Sequence, residues 1–138
     1  MGQQQLLLII LGVIIVGVAI AVGISMFSGQ SIQSNKDAIL SDLNNLGADA
    51  YQWKIRPSSM GGGNGVYDGS ANGGTPYAVK ANGPWGTSNP NGTYAITAQS
   101  ATSITFTATS KTVTTSTVAL TFDQNGKGGM PTYTGQFL

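Results

Sequence analysis

Few residues in this chain have the chemistry to carry out a reaction. There is no His and no Cys, which removes the side chain that titrates near neutral pH, the thiol nucleophile and the commonest transition-metal ligands. Every acid is Asp, and only Asp68 and Asp123 fall after Arg56. General acid/base catalysis needs two such groups within hydrogen-bond reach of one bond, and neither Asp stands in a recognisable arrangement of that kind. No catalytic residue is therefore assigned, and the chain is not read as an enzyme. Asp123-Gln124-Asn125-Gly126-Lys127-Gly128 has some of the oxygen donors of a calcium loop, but Lys127 takes the place of a third oxygen ligand and no Glu follows. It reads as a turn before the last strand, and no metal or cofactor is expected. The run Gly61-Gly62-Gly63-Asn64-Gly65 lacks the Gly-Lys-Ser/Thr of a phosphate cradle and reads as a loop or subunit contact. Asn91-Gly92-Thr93 matches the N-glycosylation acceptor pattern, which makes Asn91 the candidate modification site, although Asn-Gly is first of all a hairpin signal. Tyr51, Trp53, Tyr67, Tyr77, Trp85, Tyr94 and Tyr133 offer stacking surfaces, but six scattered Lys and Arg make a poor groove for phosphates. Core and interface packing is their expected use, and no nucleic-acid partner is expected.

The elements that hold these residues are of two kinds. From Met1 to Asn35 there is no charged residue at all, while every Lys, Arg and Asp lies between Lys36 and Lys127. Leu6 to Met26 is an apolar run interrupted only by small residues, and as a helix it spans roughly 30 Å, the thickness of a bilayer core. Gly12, Gly17, Ala19, Ala21 and Gly23 let helices approach closely, with Gly17, Ala21 and Gly12 placed on one side. A plain transmembrane anchor and an uncleaved secretory signal fit the hydrophobicity alone. The signal reading is weakened because no basic residue precedes Leu6, the run is too long and no small-x-small site ends it.

The helical pattern continues into the polar half. Ile39, Leu43, Leu46, Ala50 and Trp53 recur at steps of four and three, one stripe of an amphipathic helix, with Lys36, Asp37, Asp42, Asn44, Asn45 and Asp49 on a solvated face opposite. Pro57 disfavours helix at Arg56, so the helix is expected to span about residues 2–55. After Pro57, Asn-Gly recurs at 64, 72, 82, 91 and 125, and the first four are spaced like the turns of a strand meander. Alternation is clearest where Tyr94, Ile96 and Ala98, then Ile104, Phe106 and Ala108, then Val118, Leu120 and Phe122 take one parity and threonines the other. That pattern faces apolar residues inward and threonines outward. Thr132 to Leu138 is expected as a closing strand. The fold class is α+β: a long N-terminal helix packed by its C-terminal half against a small antiparallel sheet. The chain divides into an apolar helix over 1–28, its amphipathic continuation over 29–56, and a β-rich outer domain over 57–138.

The opening Met1-Gly2-Gln3-Gln4-Gln5-Leu6-Leu7-Leu8-Ile9-Ile10, the Gly-spaced aliphatics after it and the polar helix with Asp42-Leu43-Asn44-Asn45-Leu46 resemble type IV pilins and pilin-like proteins of bacteria. The resemblance covers about the first 56 residues well and the β region only in general plan. It implies a leader ending in Gly, removed by a prepilin peptidase that then methylates the new N-terminus. With Met1 as the first mature residue, the favoured register, Gln5 takes the position where the family usually has a Glu that neutralises a neighbour's terminal amine. If Gly2 instead ends the leader, Gln3 is the mature start. The chain departs from the family in having no Glu, no Pro in the helix and no paired cysteines. The resemblance makes Met1, Gln5, Leu8, Gly12, Ile15, Gly17 and Ala21 the candidate assembly residues. It implies a homo-oligomer, a helical filament of identical subunits, with membrane lipid as the neighbour before assembly. Location would be the inner membrane first and the cell surface afterwards, with adhesion or motility as the use. A pseudopilin of a type II secretion system is the nearest alternative. A membrane-anchored monomeric β-domain that binds protein or carbohydrate is the alternative of another class.

Overall fold

A computed structural model describes residues 2–71, 73–79 and 87–138. Met1, the Asn-Gly positions Asn72 and Asn82, and Trp85 lie outside the described residues. Helix α1 runs without a break over Gly2–Ile55, 54 residues, or about 80 Å at 1.5 Å per residue. It ends where Pro57 requires it to, and it passes through Gly17, Gly23 and Gly29 without losing its helical pattern. The four strands β1 (Gly92–Gln99), β2 (Ile104–Ser110), β3 (Thr117–Phe122) and β4 (Thr132–Tyr133) form one antiparallel sheet in the order β1-β2-β3-β4. The fold is α+β, with the helix laid on a sheet meander.

The core lies between the second half of α1 and the inner face of that sheet. Ile39, Leu43, Leu46 and Ala50 are buried, and Trp53 packs against the cluster from its edge. They meet Tyr94, Ile104, Phe106, Ala108, Val118, Leu120 and Phe122, the inward parity of the strands. Trp53, Tyr77, Phe106 and Phe122 form an edge-to-face chain with successive ring centroids 6.3, 5.9 and 6.0 Å apart, a geometry that aligns the ring quadrupoles favourably. Gly47 is buried in the same face, where an added Cβ would lie 2.1 Å from the Phe122 ring. A side chain there would hold helix and sheet apart. On the outer face, threonine hydroxyls pair across strands, Thr105 with Thr121 at 2.8 Å and Thr97 with Thr107 at 3.0 Å.

Three features differ from the sequence reading. The meander expected from the Asn-Gly spacing does not extend over 57–90. Among the described residues that stretch holds a 3-10 turn at Ser58–Met60 and otherwise irregular chain, with one isolated bridge between Ser88 and Thr93. The closing strand is only Thr132–Tyr133; a 3-10 turn at Gly135–Phe137 then tucks Phe137 into the core at 1 % exposure. A register shift between Ile96 and Ala98 breaks the alternation of β1, so that Ala98 faces solvent. An irregularity of this kind re-aims every side chain beyond it.

Candidate assembly surface

The amphipathic half of α1 is fastened to the domain by polar side chains, three of which the sequence assigns to a solvated face. Asn35 is buried; its Nδ2 donates to the Asn91 carbonyl and to Thr112 Oγ1, and its Oδ1 accepts from Ser110. Lys36 donates to the Phe137 carbonyl at 3.0 Å with its ammonium 3.9 Å from the Tyr133 ring centre. Asp42 Oδ2 accepts from Asn89 Nδ2 at 2.8 Å, Asn91 Nδ2 at 3.1 Å and the Tyr94 hydroxyl. Asp49 accepts from the Tyr77 hydroxyl at 2.7 Å. Burial pushes the Asp42 carboxyl up, but the bonds from Tyr94, Asn91 and Asn89 outweigh it and hold it below the usual aspartate value. Tyr94 and Tyr77 are displaced upward, first by burial and then by the carboxylates they face. Of the expected solvated face, Lys36, Asp42 and Asp49 are thus docking groups. Heptad spacing cannot reveal this, because their partners are 28 or more residues away in the chain.

The far end of α1 is capped by the glycine run. The N–H groups of Gly63 and Gly65 donate to the Trp53 and Lys54 carbonyls at 2.9 and 2.7 Å, and that of Asn64 to the Arg56 carbonyl at 3.0 Å. These bonds satisfy carbonyls that a helix end leaves open. Asn64 has φ 53° and Gly65 φ 96°, the left-handed region that this return path needs. Lys54 is buried and its ammonium donates to the Gln124 carbonyl, in the loop Asp123-Gln124-Asn125-Gly126-Lys127-Gly128. In that loop Asp123 Oδ1 accepts from the backbone N–H of Asn125 and of Lys127, at 2.8 and 2.9 Å, and Asp123 is held below its usual pKa by those two bonds. Tyr67 donates its hydroxyl to the Asp123 carbonyl at 2.8 Å, and burial pushes its pKa up to about 12. Asn91 is half-buried, and the nitrogen that would carry a glycan is the one donating to Asp42. Its Asn-Gly step lies in a tight turn between Ser88 and Thr93, which are joined by an isolated antiparallel bridge, with Asn89 N–H donating to the Gly92 carbonyl at 2.9 Å; the turn reading of this junction holds.

Among the described residues, the large apolar side chains of the other half of α1 are left exposed. From Leu6 to Phe27 every large apolar side chain is between 52 % and 74 % exposed, and the first side chain packed on the core is Ile32. This arm of some 30 residues is apolar on all sides. At about 100° per residue, the unbroken helix places Gln5, Leu8, Gly12 and Ile15 within one arc of about 80°. Gly17 and Ala21 share a different side, with Gly12 about 140° from Gly17. The expected crowding of all three small residues on one side is therefore corrected: they serve two faces. An added Cβ at Gly12, Gly17 or Gly23 would meet nothing within 4 Å, so no contact among the described residues accounts for glycine there. At the root of the arm Phe27 overhangs two shallow clefts, one shared with Ser31, Asn35 and Thr112, the other with Ile24, Ile32 and Val113.

A long apolar N-terminal helix packed by its second half on a four-strand antiparallel sheet is a pilin-like architecture. Comparison with family models, curated proteins and solved structures finds no match to this chain.

Proposed function

We propose that this chain is the structural subunit of an extracellular filament built like a type IV pilus, polymerising through the apolar arm of α1 with no catalytic role. The observation that carries this reading is the arm's continuity with the spine of the outer domain. About fifteen aliphatic side chains without cover in the chain, each worth roughly 1.5 to 3 kcal/mol when buried, require an apolar neighbour at all times. A simple anchor would need no rigid connection between membrane span and domain, whereas a filament needs one to set the outer domains at fixed positions around a bundle of arms. Lipid covers the arm before assembly and neighbouring arms cover it afterwards. Because both surroundings are apolar, the hydrophobic term nearly cancels in the transfer, and close packing with polar pairing sets the direction. Gln5 supports such pairing, since its carbonyl can accept from a neighbour's terminal ammonium with less electrostatic gain than a carboxylate.

The test is to shear surface fibres from cells that make the protein, identify their main component and measure its N-terminal mass. The expected result is fibres composed chiefly of this chain, with a mass that fixes the mature start and any methyl group. Fibres lacking the chain while it stays in the membrane fraction would sink the reading. A short stub of low abundance would point to the pseudopilin alternative, and a detergent-extracted monomer from cells bearing no fibres to the anchored binding domain.

A further inference from the structure

The five Asn-Gly junctions, at 64, 72, 82, 91 and 125, have a chemistry that the assembly role does not use. The glycine amide nitrogen can attack Cγ of the preceding asparagine side chain. The N–Cγ bond forms, the Cγ–Nδ2 bond breaks, and the nitrogen leaves as ammonia with the amide proton. Water then opens the imide to aspartate or isoaspartate. Glycine hinders the attack least because it has no Cβ. Each event adds a negative charge, and isoaspartate also lengthens the backbone.

In the folded chain the nucleophile is engaged at every junction whose two residues are both described. Gly65 N–H donates to the Lys54 carbonyl at 2.7 Å, Gly126 N–H to the Asp123 carbonyl at 3.0 Å, and Gly92 N–H to the Asn89 side-chain carbonyl at 3.0 Å. At Asn91 the electrophile is fixed too, since its Nδ2 donates to Asp42 Oδ2 at 3.1 Å and its backbone carbonyl accepts from Lys111 N–H at 3.2 Å. We propose that the fold protects Asn64, Asn91 and Asn125 from spontaneous deamidation by holding the following glycine nitrogen in a hydrogen bond, with Asn91 the most durable. The bond must open before the nitrogen can turn toward Cγ, so the rate is scaled by a local opening equilibrium. Asn125 is exposed, and the bond that holds Gly126 N–H closes a single turn on the Asp123 carbonyl of the same loop, so it is the first of the three to react even though Lys54 and Tyr67 tie that loop to the domain.

The experiment incubates the purified full chain in mildly alkaline buffer, folded in detergent or denatured in urea, and follows each junction by peptide mass spectrometry. Expected is deamidation at least about tenfold slower in the folded chain at all three positions, in the order Asn125, Asn64, Asn91 from fastest to slowest. Each tenfold reflects about 1.4 kcal/mol of opening. Equal rates in the two states would overturn the proposal. Asn89→Ala removes the acceptor of Gly92 N–H and is expected to accelerate Asn91 alone, leaving Asn64 and Asn125 as internal controls. An unchanged rate at Asn91, or the same acceleration at all three, would overturn the assignment to that bond. Should Asn89→Ala not fold, the comparison of folded with denatured wild type still decides.

Discussion

Asp42 condenses how this molecule uses its few charges. A helix carboxylate accepts from two asparagines and a tyrosine of the sheet side, and those bonds favour its ionised form. The folded chain therefore binds this proton less readily than the unfolded chain does. The associated stability is present above the ordinary aspartate value and is lost as pH falls through the lowered one, that is, from about pH 4 downward. Asp68 and Asp123 are displaced the same way, so the acid loss of the wild type is shared. Asp42→Asn is expected to make the fall of the melting midpoint between about pH 4 and pH 2 shallower. An unchanged slope would mean that the three hydrogen bonds do not bias the carboxyl. None of these partnerships is written in the local sequence: Asp42 is read as solvated because it lies off the apolar stripe, and Asn91 is read as a turn residue. The bonds to Asp42 from Asn89 and Asn91 span 47 and 49 residues, and only the three-dimensional path brings them together.

At the level of elements, periodicity delivered most of what the structure contains. The stripe from Ile39 to Trp53, the stop near Pro57 and the threonine parity of β2 and β3 follow from side-chain direction in helices and strands, which is a local property. Asn-Gly misled because it signals a left-handed backbone step, and such a step serves a helix cap at Asn64-Gly65 as well as a hairpin. The placing of the small residues was not legible in detail, since the sequence reading put Gly12, Gly17 and Ala21 on one side and the continuous helix divides them between two. The arm itself makes a prediction of opposite signs. In the single chain, Gly12→Ala and Gly17→Ala meet no neighbour and each should stabilise the helix by about 1 kcal/mol, seen as slower amide exchange around the site in detergent. In assembly, the same methyl groups should lower fibre yield by keeping neighbouring arms apart. Undiminished fibres from both variants would show that neither glycine is a point of close approach.

For the whole molecule, the division of labour is sharp: among the described residues the first helix side chain packed on the core is Ile32, and no earlier one belongs to it. A chain starting at Gly29 should therefore be a soluble monomer with the near-ultraviolet dichroism of the full protein and a melting midpoint within a few degrees of it. Collapse of that signature would mean that the arm supports the domain. The architecture was readable in advance because it rests on two coarse features, a charge-free stretch and a charged one with strand alternation behind it. The entry of Tyr67 and Tyr77 into the core was not, because they come from stretches with no periodicity. The unbroken run of α1 has a mechanical consequence. The second half of the rod is gripped along its length by the sheet, from Asn35 at one end to Lys54 at the other. A pull on the outer surface is therefore shared among many weak fastenings acting in parallel and passes into the rod as tension along its axis. With no break in the helix in between, load would travel from the sheet to the apolar arm with little slack, as the proposed filament would require.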